Sequence, residues 1–286
     1  MSKILILGAH SFVASGLLDK LESLNYVVHD FARGHQDRKC NHIYGNYTQI
    51  ANNQALDASY DVVINFAVLK DETLTDNINY IKSLIDFCKT HNVKKLIHFS
   101  SIMVYNYQLK EVDENTLIET LAGTYKKGYG EFKIGVDQYL SEIKSTLPFE
   151  VIQVRPGYVL ADNRPCPFIK KLPLGISLIK GNKKSKQPIV QRKDIHQALI
   201  KIIETEHNLP VYHFFPNDEM TKYKYAKRTV GGTILTMPQW MFKGIPFVLM
   251  KLKLMPKSLY SRFEGMYIES VFSSRLTEEK LNIKFK

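Results

Sequence analysis

The 286-residue sequence is poor in cysteine, has a single tryptophan and contains no long apolar run. Its three cysteines, Cys40, Cys88 and Cys166, are far apart and odd in number, and neither a Cys-x-x-Cys nor a His-Glu-x-x-His pair occurs. Disulfide scaffolds and the common zinc sites therefore lack support, and no metal is expected. The first apolar run, Ile4 to Leu7, stops at Gly8, too short for the core of a signal peptide. No stretch approaches the roughly 18 uncharged apolar residues of a membrane span, so the reading is a cytoplasmic protein. Segments dominated by Pro, Ser, Gln or one charge are missing and no repeat period shows, which excludes fibrous, collagen-like and low-complexity classes. With 44% hydrophobic and 23% charged residues, the chain has material for one large domain or two closely joined ones.

The net charge of +11 is unevenly placed. Residues 1–160 hold 16 Lys+Arg against 18 Asp+Glu, and residues 161–286 hold 23 against 10, so the whole excess lies in the second half. Such a half suits an anionic ligand, a membrane surface or nucleic acid, or simply a lysine-solvated surface. No nucleic-acid motif accompanies the charge, and no nucleic-acid partner is expected.

Lys3–Leu7 reads as a buried strand, and Leu17, Leu18, Leu21 and Leu24 follow at helical spacing. Tyr26–Phe31 supplies a second strand. The alternation continues with a strand over 61–67, a helix from about 78 to 90, a strand over 95–99, a helix over 129–143 and a strand over 150–154. Strands alternating with helices predict an α/β fold, a Rossmann-type doubly wound parallel sheet with ligands at the carboxyl ends of its strands. After Pro156 the pattern loosens and prolines, among them Pro165, Pro167, Pro173, Pro188 and Pro238, punctuate short elements. The expected division is a dinucleotide-binding domain over 1–160 and a smaller substrate lobe over 161–286 that mixes with the sheet edge.

Gly8-Ala-His-Ser11-Phe12-Val13-Ala14 joins the first strand to the first helix, where backbone amides can hold a pyrophosphate. Only one of its three small positions is Gly, which also fits a plain strand-to-helix turn. At the end of the second strand, Ala32 stands where NAD enzymes place an acid for the ribose, and Arg33 follows. That pair favours the 2′-phosphate of NADP(H), with NAD(H) as second choice; an earlier end to the strand would instead make Asp30 the ribose acid. Ser100-Ser101-Ile-Met-Val-Tyr105 follows the 95–99 strand, and Tyr129-Gly-Glu-Phe-Lys133 places a phenol and an ammonium on one helix face. There the lysine is expected to lower the phenol pKa while a serine hydroxyl steadies the same substrate oxygen. Chance alone gives about two Tyr-x-x-x-Lys matches in this composition, and two occur. The other, Tyr223 to Lys227, falls in the basic half on an expected exposed helix.

These segments together resemble the extended short-chain dehydrogenase/reductase family, the NAD-dependent epimerase/dehydratase group that includes nucleotide-sugar epimerases and 4-ketoreductases. The resemblance covers about residues 3–160 and recurs faintly beyond. It implies a cofactor site of Gly8, Ser11, Phe12, Val13, Arg33, Asn46, Tyr47, Phe66, Ala67, Val68, Lys70, Asn77 and Pro156, with Tyr129 and Lys133 reaching the same site. It implies Ser101, Tyr129 and Lys133 as catalytic residues, and Ser101, Tyr158 and Arg192 on the substrate side, with Lys180, Lys183 and Arg275 as weaker candidates for a pyrophosphate. Ser11 in place of Gly and Asn46 in place of Asp depart from the family pattern. Ile102 and Met103 stand where 4,6-dehydratases carry Asp-Glu, so dehydration is not expected.

The resemblance implies an NAD(P)-dependent oxidoreductase acting at C4 of a nucleotide-diphosphate sugar, by 4-keto reduction or 4-epimerisation, and a homodimer formed through the helices near 78–90 and 129–143. Reduction of a small non-nucleotide ketone and non-catalytic, regulatory binding of NADP are the alternatives. Trp240 to Met255 mixes bulky apolar residues with lysines, as a peripheral membrane anchor would. Gly244 and Pro246 break a long helix, which favours a pocket wall over membrane contact.

Overall fold

The computed structural model describes residues 2–33, 42–56, 59–106, 108–124, 126–161, 166, 168–217, 220–230, 232–236, 240–256, 259–260 and 270–285. Cys40, Pro165, Pro167 and Pro238 lie outside the described residues.

The parallel sheet is built from strands whose side chains are apolar on both faces. Strand β1 (Lys3–Leu7) sends Ile4 and Ile6 to one core and Leu5 and Leu7 to the other. This is the near-continuous apolar run that a strand covered by helices on both sides requires. In chain order follow β2 (Val27–Ala32), β3 (His42–Tyr44), β4 (Val62–Asn65), β5 (Lys95–Phe99), β6 (Glu111–Val112) and β7 (Glu150–Pro156). The short strands β8 (Tyr158–Leu160), β9 (Ile169–Lys171), β10 (Ser177–Ile179) and β11 (Ile189–Gln191) precede β12 (Val211–Phe214), β13 (Ile234–Thr236) and β14 (Val271–Phe272). Seven of them form the main sheet in the order β12-β7-β5-β4-β1-β2-β3, all neighbours parallel. The order reverses at β1, with β2 on one side and β4 on the other, and ligands in such sheets bind at that point.

Helices α1 (Leu17–Ser23), α4 (Arg192–Glu204) and the C-terminal helix Arg275–Leu281 cover one face through Leu17, Leu21, Leu199, Ile202 and Leu281. Helices α2 (Leu74–Thr90) and α3 (Tyr129–Ile143) cover the other through Leu84, Cys88, Val136 and Leu140. Helix α2 starts four residues earlier than its apolar spacing predicts, because Thr73 and Asp76 form a reciprocal capping box. Gly135 lets α3 close on α2, since a Cβ there would stand 2.7 Å from Leu74 Cδ1. Residues beyond 160 thus return to the sheet as edge strand β12, α4 and the C-terminal helix. Between them lie a three-stranded sheet β13-β10-β9 and helices α5 (Lys222–Thr229) and α6 (Ile245–Lys251).

Candidate active site

Gly8 ends β1 with φ +76, and a Cβ on it would sit 2.9 Å from the Ala67 nitrogen. Both the left-handed backbone and the close approach to the strand-β4 exit demand glycine here. The turn is braced from within: Ser11 N–H donates to the Gly8 carbonyl at 2.9 Å, and Ala14 N–H donates to Ser11 Oγ at 3.3 Å. So the Ser11 hydroxyl caps its own turn. Regular helix begins only at Leu17, after Gly16 at φ +84, so the amide-bearing segment is a run of turns longer than the sequence predicts. Helix α4 buttresses it. Arg192 donates to the Phe12 carbonyl at 3.3 Å with its guanidinium 5.3 Å from the Phe12 ring, and His196 Nε2 reaches the Val13 carbonyl at 2.8 Å. The structure therefore places Arg192 against the glycine turn.

Strand β2 runs through Ala32, which removes the condition for Asp30 to end it. Asp30 is buried two residues earlier, its carboxylate hydrogen-bonded to His42 Nδ1 with His10 Nε2 3.9 Å away. His10, Asp30 and His42 bring ligand-type atoms within 4.8 Å of one another beside the glycine turn. Sequence reasoning missed this cluster because three residues spread over 33 positions on two strands and a loop have no recognisable spacing. Arg33 is half-exposed, 3.6 Å from Glu72 and over the ring of Tyr47 at 5.7 Å. Tyr47 is buried against Phe31 and Tyr80, and desolvation pushes its phenol up to about 12. Asn46 accepts from Thr48 N–H at 3.1 Å and so starts the short 3-10 helix over 47–52.

At the end of β4, Asn65 Oδ1 accepts from Ala67 N–H at 2.9 Å and from Tyr80 O–H at 2.7 Å. Its amide therefore points nitrogen-first at His98 Nδ1, 3.1 Å away. Asn77 accepts from Leu69 N–H and donates to the Leu69 and Thr73 carbonyls, each at 3.0 Å or less, pinning the 65–70 segment. Phe66 packs against Phe99 with ring centres 4.2 Å apart. Ala67, Val68, Asn77, His98, Phe132 and Lys133 line a small cleft below these loops, while Lys70 stays exposed above it.

Tyr129 opens α3 and lies 39% exposed. Lys133, one turn on, is buried; its Nζ donates to the Phe99 carbonyl and sits 5.6 Å from the centre of the Tyr129 ring. Burial lowers the ammonium to about 8, opposed by the charge of Asp137 and aided by that of Lys70. The Tyr129 phenol is pushed up to about 12 by desolvation and then by Asp137. That corrects the expectation of a phenol pKa lowered by the lysine. The ammonium lies over the ring, and desolvation of the phenolate outweighs it. Ser101 caps a 3-10 turn over 102–104 that packs on α3, accepting from Met103 N–H at 3.2 Å and keeping its own proton free to donate.

Two buried networks support these loops. Buried Lys126 donates to the Met103 and Tyr105 carbonyls at 2.8 Å and pairs with Glu119 at 2.5 Å, tying the Ser101 turn to the segment entering α3. Arg155 joins Asp137 at 3.0 Å and the Tyr105 hydroxyl at 2.6 Å; that hydroxyl in turn meets His213 Nε2 at 2.6 Å. Pro156 ends β7 next to this chain, and Tyr158 is 38% exposed on β8. Of the weaker candidates, Lys183 lies 6.0 Å over the ring of Tyr223, and Arg275 is exposed beside Glu279 at 3.8 Å. The Lys180 carbonyl accepts from buried Lys222 at 3.3 Å. Tyr223 and Lys227 are exposed on α5.

The NAD dependent epimerase/dehydratase family profile matches residues 4–213. No curated protein sequence registers as a match. Among solved structures, human epimerase family protein SDR39U1 with NADPH is 16% identical, covers 99% of this chain and 95% of its own, and superposes with a TM-score of 0.67. MoeE5 in complex with UDP-glucuronic acid and NAD is also 16% identical, with coverages of 100% and 94% and a TM-score of 0.69. UDP-N-acetylglucosamine 4-epimerase from Bacillus cereus is 14% identical, with coverages of 100% and 94% and a TM-score of 0.70. The chain belongs to the NAD dependent epimerase/dehydratase family.

Proposed function

From that family membership and this geometry, we propose that the protein is an NAD(P)-dependent oxidoreductase acting at C4 of a nucleotide-diphosphate sugar, by reducing a 4-keto sugar or epimerising through one. The observation that carries the reading is Tyr129 with the Nζ of buried Lys133 5.6 Å from its ring centre, Lys133 lining a small cleft with Ala67 and Val68, and the Ser101 turn packed on the same helix. The residues suit a dinucleotide: Gly8 has no room for a Cβ, and the 65–70 segment is pinned by Asn77. Bound along those two segments, NAD(P)H supplies the hydride.

As the C4 carbonyl carbon is reduced, its oxygen takes the proton of the Tyr129 hydroxyl, and the Ser101 hydroxyl donates a hydrogen bond to the same oxygen. The Tyr129 phenol holds its proton at neutral pH and can serve as the donor. Buried Lys133, its Nζ 5.6 Å from the centre of the Tyr129 ring, would orient the ribose of the cofactor. Ile102 and Met103 supply no acid or base for elimination of water.

Ala32 at the β2 terminus offers no carboxylate to repel a 2′-phosphate, and Arg33, half-exposed between Glu72 and the Tyr47 ring, can turn to pair with it, so NADP(H) is the preferred cofactor. Residues 1–160 carry the dinucleotide and residues 161–286 the sugar nucleotide, with Tyr158 on the substrate side, and the homodimer forms through α2 and α3. The position of Arg192 favours a second reading, reduction of a small ketone, because its guanidinium is turned towards the glycine turn, with one N–H on the Phe12 carbonyl. Screening nucleotide-diphosphate sugars and their 4-keto forms against NADPH and NADH separates the two. Turnover that requires the nucleotide supports the leading reading, and absence of binding by any nucleotide sugar overturns it.

A further inference from the structure

Between Glu219 and Glu264 the sequence has no acidic residue, and it carries nine basic ones: Lys222, Lys224, Lys227, Arg228, Lys243, Lys251, Lys253, Lys257 and Arg262. A run of that length with one sign of charge would ordinarily be a polar surface. Instead, it contains the largest group of exposed apolar side chains among the described residues. A wide helical turn over Trp240–Gly244 leads directly into α6, so residues 240–251 form one continuous helical piece. The helix type changes at the expected place: the wide turn ends at Gly244, and regular helix begins at Ile245 with Pro246 in its first turn, where its missing N–H costs nothing.

The outward face of this piece is apolar. Trp240 is 64% exposed, Val248 52%, Leu252 62% and Leu254 72%, with Ile245 and Phe247 each at 45%. Ile245, Val248 and Leu252, three and four residues apart, share one helix face, while Pro246 faces the protein. These side chains are not covered by any described residue, as those of a closed pocket wall would be. Large contiguous exposed apolar surface marks an interaction site. Here it is flanked by Lys251 and Lys253, both exposed, with no carboxylate in the segment to oppose an anionic partner. No helix among the described residues is long and apolar enough to cross a membrane.

We propose that segment 240–254 lies flat on a bilayer containing anionic lipids, its apolar side chains at the headgroup–acyl boundary and its lysines among the headgroups. Bulky apolar residues on one face and cations beside them, with no compensating acid, are the two terms that bind an interfacial helix. The inference stands apart from the substrate: it would hold equally for a small-ketone reductase.

Trp240 is the only tryptophan, so its fluorescence reports on this segment alone. Full-length protein is mixed with phosphatidylcholine vesicles, with or without 30% phosphatidylglycerol, at low and high salt. The expected result is a blue shift of Trp240 emission and cosedimentation with the anionic vesicles at low salt, both reduced by salt. Lys251→Glu with Lys253→Glu should weaken partitioning at least about tenfold. Phe247→Ser with Leu254→Ser should abolish the blue shift, with an unchanged circular dichroism melt showing that the fold survives. No cosedimentation at low salt overturns the proposal. So does emission that is already blue-shifted in a concentration-dependent dimer without lipid, because a second copy then covers the face. Cosedimentation without a blue shift overturns it as well, since adsorption by charge alone leaves Trp240 in water.

Discussion

Lys133 is needed for chemistry and is costly to the fold, and the two effects separate in one variant. Its ammonium is buried, accepted by one carbonyl, that of Phe99, and burial brings it from 10.5 to about 8. At 1.36 kcal/mol per tenfold change in proton affinity, the charged form costs the folded state about 3 kcal/mol. Below pH 8 the lysine is protonated both folded and unfolded, so the whole penalty applies. Between pH 8 and 10.5 the folded state releases the proton while the unfolded chain keeps it, and stability rises. Lys133→Met fills the same space without charge and forfeits a hydrogen bond of about 1 kcal/mol. The net gain at pH 7 is then about 1–2 kcal/mol, or roughly 2–4 °C in melting temperature for a chain of this size. Melts followed by circular dichroism at pH 7 and pH 9.5 should show Lys133→Met above wild type at the lower pH and the gap closing at the higher. Turnover and NADPH affinity should both fall. A variant that melts several degrees below wild type at both pH values would refute the reasoning, because the lysine would then be stabilising in its charged form.

Tyr129→Phe keeps the ring and removes the proton donor, so turnover should drop about 10²- to 10⁴-fold with NADPH affinity, measured by titration, little changed. Tyr223→Phe is its control and should leave turnover intact. Arg33→Ala should weaken NADPH, by roughly 1.5–3 kcal/mol, and leave NADH unchanged in calorimetry; equal loss for both cofactors would place the guanidinium away from the 2′-phosphate. Gly8→Ala forces a Cβ to 2.9 Å from the Ala67 nitrogen at φ +76 and should cost about 1–3 kcal/mol in denaturant unfolding as well as weaken the dinucleotide. Light scattering should give the mass of a dimer; a monomer mass independent of concentration would exclude one.

The sheet was legible because β1, β4, β5 and β7 are apolar on both faces, a pattern that survives without knowledge of their neighbours. Tyr129 and Lys133 were legible for a similar reason, since four-residue spacing fixes a shared helix face wherever the helix packs. What depends on tertiary contact was not. The late start of α1 follows from Gly16 at φ +84, and the anchoring of Phe12 and Val13 comes from α4, some 180 residues away. Lys126 looks like any surface lysine until three oxygens surround it. The direction of the Tyr129 shift could not be read either. Spacing places the ammonium near the ring but says nothing of how far the phenol is desolvated or of Asp137 below it. Trp240 to Met255 has the composition of a peripheral anchor, but which of its apolar side chains face outward depends on the packing around them.

The central claim is hydride transfer to C4 of a sugar nucleotide, and isotope tracing tests it most directly. The enzyme, (4-²H)NADPH and a nucleotide-diphospho-4-keto sugar are incubated together, and the product is examined by NMR. The account predicts deuterium on C4 of the sugar, lost from the product of Tyr129→Phe for want of turnover. Deuterium at another carbon, or oxidation of the cofactor with none in the sugar, would contradict it.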